Sequence, residues 1–344
     1  MNKLSYENEV EDYSKKFKDF KMKSMQDNIN LGITLYVPKG EIKGIFQISH
    51  GMMEHRKRYI HFMDYLGRNG YVSIVHDHIG HGESVITKND YGYFYNNGTT
   101  NLVDDLHQIT LYMKQRYKKY PYFLFGFSMG SLIARAYLKK YDYELDGLIL
   151  CGSPVKNKVI PYIKKLCKII EKIKGDHYRS IFIHKILRGI GDNAITTSEI
   201  ERDKFTNDEG CGFIFTINGF ENLCNLIKID YSKKDWAKRN LNLPILSIAG
   251  EDDIVIISEK RFNELTRFMK RIGYEKVFTK IYSDKYHDLL HEVNKLQVYK
   301  DILNWMDRVN SEKKTWFYKA HHFTLQVCYN DKSIFIFVLS QALN

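Results

Sequence analysis

The sequence predicts an α/β fold: a mostly parallel central sheet with helices on both faces, interrupted by a helical insertion. Three observations carry this reading. Short continuous β-favouring runs alternate with longer amphipathic stretches, the alternation stops near Pro154 and resumes near Leu243, and one β-like run leads straight into Gly126-Phe127-Ser128-Met129-Gly130. Strands covered on both faces need continuous apolar runs, whereas strands with one wet face alternate. Strand, helix, strand in sequence then gives a doubly wound sheet.

The elements follow in order. Residues 1–19 read as a polar leader, and Phe20 to Met25 with Gly32 to Val37 as an antiparallel hairpin at the sheet edge. Lys43 to Ser49, Tyr71 to His76, Tyr122 to Phe127 and Leu145 to Cys151 read as central strands. Between them, Arg58 to Asn69, Leu102 to Tyr117 and Ser131 to Lys140 show helical spacing of apolar residues. From Pro154 to about Trp236 only helix-like segments are expected. In the first of these, Ile160, Ile163, Cys167, Ile170 and Ile173 share a stripe, with Lys164, Lys165, Lys168 and Lys172 on other faces. Leu243 to Ala249 and Val277 to Tyr282 read as buried strands, with helices over Ser258 to Arg271 and Val293 to Val309. The expected organisation is a sheet domain over 20–154 and 236–310, a helical cap over 155–235, and a C-terminal extension over 311–344 that is aromatic and then β-like.

With 344 residues, 44% hydrophobic and 27% charged, the chain can bury a large core and is too polar for a membrane bundle. The charge of +11 suits phosphate-bearing surfaces, nucleic acid or anionic lipid. No recognisable nucleic-acid-binding module accompanies it, so no nucleic-acid partner is expected. Five Cys without a C-x-x-C pair or a neighbouring His at ligand spacing predict reduced, mostly buried thiols and no zinc. Residues 1–20 are charged throughout and lack the apolar core of a secretory signal, which makes the cytosol the expected compartment. The late apolar run Ile334 to Leu339 is far shorter than the roughly 20 residues that span a bilayer.

Gly126-Phe127-Ser128-Met129-Gly130 is G-x-S-x-G in its strand-turn-helix setting, where glycines flank a serine on a turn too sharp for side chains. A serine hydroxyl needs a base, and the base an orienting carboxylate. Both lie downstream on loops that follow β runs: Gly250-Glu251-Asp252-Asp253, and Ser283-Asp284-Lys285-Tyr286-His287. Loops at the carboxyl ends of parallel strands share one edge of the sheet, so the three groups can meet. Asp253 is the expected acid, because a turn residue past the strand is needed to aim it inward, and adjacent Asp252 points elsewhere. His287 is the expected base, and His291, at the start of the last helix, a hydrogen-bonded structural residue. An oxyanion needs two preorganised donors: the backbone N–H of Met129, after the nucleophile, and that of Met52, which Gly51 lets the chain aim. His50 shapes that loop.

These stretches resemble the monoacylglycerol lipase and lysophospholipase group of the α/β-hydrolase family, also catalogued as serine aminopeptidase-like hydrolases. The matching segments are HGMMEHRKRY (50–59), DHIGHGES (77–84), GFSMGS (126–131), GEDD (250–253) and YHDLLHE (286–292), with DEGCGFIFT (208–216) resembling a lid-region segment of the family. The resemblance spans about 20–310 and implies an α/β-hydrolase fold, a Ser128, Asp253, His287 triad, oxyanion donors Met52 and Met129, and a cap over 155–235 that governs lipid access. Three positions depart from it: bulky Met52 and Met53 where small residues are common, Asp208-Glu209 without the usual proline, and Ser131 for a second glycine.

The expected reaction is hydrolysis of the ester of a single-chain acyl lipid, a monoacylglycerol or lysophospholipid, without metal or cofactor. A small-ester carboxylesterase or an aminopeptidase would use the same triad, and a non-catalytic binding protein on this fold is the alternative of another class. The Ile160 to Ile173 stripe either lines the acyl entrance, its lysines meeting head groups at a membrane surface, or packs on the core. Oligomeric state is not legible.

Overall fold

A computed structural model describes residues 16–188 and 195–330. The chain divides into one compact unit ending at Tyr299 and another beginning at Lys300. The first unit contains strands β1 Phe17–Lys23, β2 Asn30–Tyr36, β3 Gly44–Ser49, β4 Tyr71–His76, β5 Tyr122–Phe127, β6 Gly147–Cys151, β7 Ile245–Gly250 and β8 Val277–Tyr282. It also contains helices α1 Ile60–Arg68, α2 Gly98–Arg116, α3 Met129–Tyr141, α4 Ile160–Lys174, α5 Ile181–Arg188, α6 Glu199–Asn207, α7 Ile217–Asp230 and α8 Glu259–Ile272. A last helix, α9, runs Lys295–Asn330, and its remainder from Lys300 makes up the described part of the second unit.

The strands form one sheet in the order β1-β2-β4-β3-β5-β6-β7-β8. β1 with β2 and β2 with β4 are antiparallel, and the pairs from β4 to β8 are parallel. The α/β-hydrolase fold expected from the motifs is therefore the observed one. Every residue of β3, β4, β5, β6 and β7 is buried, which is why these segments read as continuous apolar runs. Helix α3 packs on β5 and is buried along nearly its whole length. Leu132 and Ile133 are fully enclosed there, each worth about 1.5–3 kcal/mol of burial.

Several boundaries differ from the sequence reading. The edge hairpin starts at Phe17, inside the expected polar leader, because Phe17 packs edge-on against Tyr36 at 5.2 Å. β8 was expected to be buried, but it is the outer strand and exposes Phe278, Thr279 and Lys280. The segment Arg56–Tyr59 is a separate tight helical turn capped by His55, not the first turn of α1. Its arginines are held inward by buried carboxylates: Arg56 by Asp77, and Arg58 by Glu54 and Asp288. The expected helix ending at Val309 continues to Asn330, into the aromatic first part of the C-terminal extension. The β-like run Ile334 to Leu339 lies outside the described residues.

Between β6 and β7 the described residues form helices α4 to α7 and no strand. Ser198 and Thr216 cap α6 and α7 by accepting from Glu201 N and Gly219 N, satisfying donors that a helix start leaves open. Helix α4 packs on α7 through buried Ile160, Ile163 and Cys167. Ile173, read as part of that stripe, is 72% exposed. Steps of three residues fall short of a full turn, so by Ile173 the row has rotated off the packed face.

Candidate active site

Strand β5 delivers Ser128 at the N-terminus of α3 with φ +50° and ψ −116°, a conformation an L-residue adopts only under constraint. The neighbouring glycines make the turn possible. A Cβ on Gly126 would lie 2.5 Å from the Gly130 carbonyl oxygen, and one on Gly130 2.0 Å from that of Ser49. The turn is locked by Ser128 N–H donating to Cys151 O (2.9 Å) and by the Ser131 hydroxyl donating to Ser128 O (2.6 Å). Ser131, the departure from the family glycine, thus supplies a bond that glycine could not.

The loops after β7 and β8 bring Asp253 and His287 to the same edge. His287 Nε2 lies 2.8 Å from Ser128 Oγ, and His287 Nδ1 lies 2.9 Å from Asp253 Oδ2. One tautomer satisfies both: Ser128 O–H donates to Nε2, and Nδ1–H donates to the carboxylate. Burial lowers the His287 pKa, but the charge and hydrogen bond of Asp253, backed by Asp288 and Glu54, outweigh it and hold the ring above the ordinary histidine value. Asp253 is 2% exposed, and its other oxygen accepts from Val255 N (2.8 Å). Asp252 is exposed and is not at the ring. Gly152, at φ +55°, passes so close that a Cβ there would stand 2.8 Å from the imidazole.

Met52 and Met129 both line the cavity over Ser128. Met129 opens α3, where first-turn N–H groups have no acceptor within the helix. The loop carrying Met52 is fastened on several sides. His50 Nδ1–H donates to Gly51 O (2.8 Å) while its Nε2 accepts from His78 N (2.9 Å). Burial drives His50 down to about 3, so the ring is neutral and positions the loop. Asp77 of the DHIGHGES segment accepts from Arg56 N (2.7 Å) and Glu83 N (2.9 Å), tying that segment to the same loop.

A buried ionic chain behind this loop was not read from the sequence. Glu54 accepts from Gly51 N, Tyr59 Oη and the Arg58 guanidinium. Arg58 also donates to Asp288 Oδ2 (2.8 Å), Asp288 accepts from His291 Nδ1 (2.9 Å), and His291 Nε2 donates to Arg58 O (2.9 Å). Burial raises the Asp288 pKa, but His291 and Arg58 together hold it well below the carboxylate range. The chain links the Met52 loop to the residue beside His287. Two signals in the sequence point to it: the i, i+4 pair Glu54/Arg58, and an aspartate next to the candidate base and three residues before a second histidine.

The cavity above Ser128 has a volume of about 310 Å³. Met52, Phe127, Ile160, Ile163, Leu223 and Ile227 give it an apolar wall, and Glu54, Arg58 and Asp288 also border it. Ile160 and Ile163 of the α4 stripe line the cavity and, with Cys167, belong to the core, against which Ile170 packs. Cys151, Cys167, Cys211 and Cys224 are buried free thiols.

A doubly wound sheet whose nucleophile-elbow serine hydrogen-bonds a histidine on the loop after β8, which in turn hydrogen-bonds an aspartate on the loop after β7, defines a serine hydrolase of the α/β-hydrolase class. Residues 40–294 match the family described as serine aminopeptidase, S33, and the chain belongs to it. It is 22% identical to the monoacylglycerol lipase of Mycolicibacterium smegmatis over 283 residues, 79% of this chain and 91% of that protein. Among solved structures, a thermostable carboxyl esterase from Bacillus coagulans in complex with glycerol has a TM-score of 0.78 at 24% identity, covering 86% of this chain and 99% of that one. A soluble variant of monoglyceride lipase from Saccharomyces cerevisiae in complex with a substrate analogue has a TM-score of 0.69 at 20% identity, covering 84% and 94%.

Proposed function

We propose that the protein hydrolyses the ester of a single-chain acyl lipid with an uncharged head group, a monoacylglycerol. Ser128 Oγ attacks the ester carbonyl as His287 Nε2 takes its proton, and the backbone N–H groups of Met52 and Met129 receive the oxyanion. Asp253 holds the ring in the required tautomer. His287 then protonates the departing glycerol oxygen, leaving an acyl-Ser128 ester. Water enters, gives its proton to His287 and attacks the acyl carbon, and the fatty acid leaves as Ser128 regains its proton.

The observation that carries the reading is the cavity lined by Ser128 and His287, which offers mostly apolar side chains together with a few polar groups. An acyl chain suits the first and a polyol the second. The charged residues bordering the cavity are two carboxylates and one guanidinium already bound to both. That balance opposes a phosphate and favours glycerol over a lysophospholipid head. The named monoacylglycerol lipase among the relatives supports the same substrate class.

In this reading 155–235 acts as a cap and docks at a membrane. Val159 and Ile186 are exposed and also line the cavity, so they mark its rim. Tyr162, Ile181 and Phe182 are exposed on the same two helical segments, among exposed Lys165, Lys168, Lys172 and Lys185. Apolar side chains ringed by lysines suit an anionic lipid surface. Among the described residues no helix is long and apolar enough to cross a membrane. An enzyme working at the surface of a membrane combines these features.

The test compares turnover of a long-chain monoacylglycerol, the matching lysophosphatidylcholine and a short-chain ester. At least tenfold higher kcat/KM for the monoacylglycerol than for either competitor is expected. Higher kcat/KM for either competitor overturns the substrate assignment while leaving the serine hydrolase class intact.

A further inference from the structure

We propose that His55, Asp208 and Cys211 form a binding site for one divalent cation of the zinc class, bridging the Met52 loop and the insertion. His55 lies 153 positions before Asp208, with Cys211 three residues further on, so spacing along the chain could not bring the three together. In the fold, one ligand atom from each lies within 4.8 Å of the others. Imidazole nitrogen, thiolate and carboxylate are the donor set that zinc favours, and three protein ligands leave a fourth position for water.

The donors sit on a fastened scaffold. Asp208 and Cys211 belong to one turn, closed by Cys211 N–H donating to Asp208 O (2.9 Å) and by Gly210 N–H donating to Asp208 Oδ1 (2.8 Å). Gly212 N–H donates to Met53 O (3.0 Å), which fixes that turn to the loop ending at His55. The ring lies close along the turn, since a Cβ on Gly210 would be 2.8 Å from His55 Cδ2. Asp208 Oδ2 faces His55 Nε2 at 2.9 Å. Tetrahedral ligands at zinc bond lengths stand about 3.3–3.8 Å apart. The nitrogen and oxygen must therefore open slightly and the sulfur draw in, movements within reach of side-chain rotation. The Asp208 side chain is 39% exposed, which gives the cation a route in.

The charges balance. Binding releases the thiol proton of Cys211 to solvent, so thiolate and carboxylate together neutralise the dication. The His55 ring stays neutral, its proton moving from Nε2 to Nδ1 and displacing the 3.3 Å contact from Lys57 N–H. Burial raises the Cys211 pKa and neighbouring Arg58 lowers it, so the thiol gives up its proton only when the cation binds; the charge of Arg58 itself is matched by Glu54 and Asp288. The bound ion joins the insertion to the loop that carries Met52. The site uses none of Ser128, Asp253 or His287 and stands whether or not the proposed substrate is right.

The experiment titrates the untagged, reduced, full-length protein with cobalt(II), then displaces it with zinc(II). A thiolate-to-cobalt charge-transfer band saturating at one equivalent is expected, lost on addition of zinc, with a zinc-dependent rise in Tm. Cys211→Ser should abolish the band. His55→Gln and Asp208→Asn, which keep the thiol and cover a failure of Cys211→Ser to fold, should weaken binding at least tenfold and remove the Tm rise. A wild-type protein without the band overturns the proposal. So do His55→Gln and Asp208→Asn variants that bind cobalt as the wild type does.

Discussion

Arg58 donates to Asp288 at 2.8 Å, and Asp288 is the chain neighbour of His287. The same guanidinium binds Glu54, which in turn holds the Gly51 N–H in the loop before Met52. The Arg58 guanidinium therefore sits between the two halves of the candidate site, and both of its carboxylate partners are almost wholly buried.

Arg58→Met removes that cation, strands the buried Glu54 charge and leaves Asp288 with His291 as its remaining side-chain partner. A loss of about 3–5 kcal/mol is expected, read by urea denaturation at neutral pH. Glu54→Gln with Asp288→Asn in the Arg58→Met background should recover part of it, because the stranded charges are then gone. An Arg58→Met protein as stable as the wild type contradicts the role assigned to the chain.

The rate should depend on a neutral His287. Its pKa is raised above the ordinary value of about 6.5, so activity is present above the raised pKa and falls as pH drops through it. Asp253→Asn removes the leading contribution to that rise. The acidic limb of the kcat/KM profile should move to lower pH, and kcat should fall by roughly 10⁴ as the tautomer is lost. An unmoved limb would assign it to another group.

How much of this was legible follows from how far each feature reaches along the chain. Strands β4 and β5 were readable to the residue, because burial on both faces leaves an unbroken apolar run. The Ser128 turn and the loops holding Asp253 and His287 are local signatures placed by strand ends. The Arg58 chain joins residues 230 positions apart; the Glu54/Arg58 and Asp288/His291 spacings hint at its two ends, but no local pattern says that the ends meet. The exposure of β8 depends on its place at the end of the sheet, which composition does not state. In the last helix Trp316, Ala320, Phe323 and Val327 do fall at helical spacing, but the β-favouring aromatics among them and the apolar run after them obscured that period.

Acid should unfold the protein earlier than its carboxylates alone would. Burial lowers His50, His76 and His81 to about 3, with His78 lowered well below its usual value. Histidines depressed in the fold take up protons more readily once unfolded, so stability is full above the unfolded pKa and declines as pH falls below it. Each of the three contributes about 2 kcal/mol of loss by pH 5. Neither ring nitrogen of His76 has a hydrogen-bond partner among the described residues. His76→Phe should therefore narrow the stability difference between pH 8 and pH 5, and an unchanged difference counts against this account.

The exposed apolar residues of α4 and α5 should matter at a lipid surface and not in solution. Ile181→Ser with Phe182→Ser is expected to weaken binding to vesicles of phosphatidylcholine and phosphatidylserine at least tenfold. Turnover of a water-soluble short ester should stay within twofold. Equal loss of both would mean that these side chains support the fold instead.

The most direct test of the central claim is covalent labelling by a fluorophosphonate, followed by mapping of the modified peptide. The wild-type protein should label once, on Ser128, with Ser128→Ala unlabelled and inactive on monoacylglycerol, and with His287→Ala labelling at least a hundredfold more slowly. A label on another residue, or a Ser128→Ala protein that labels like the wild type, would contradict the assignment of Ser128 as the nucleophile.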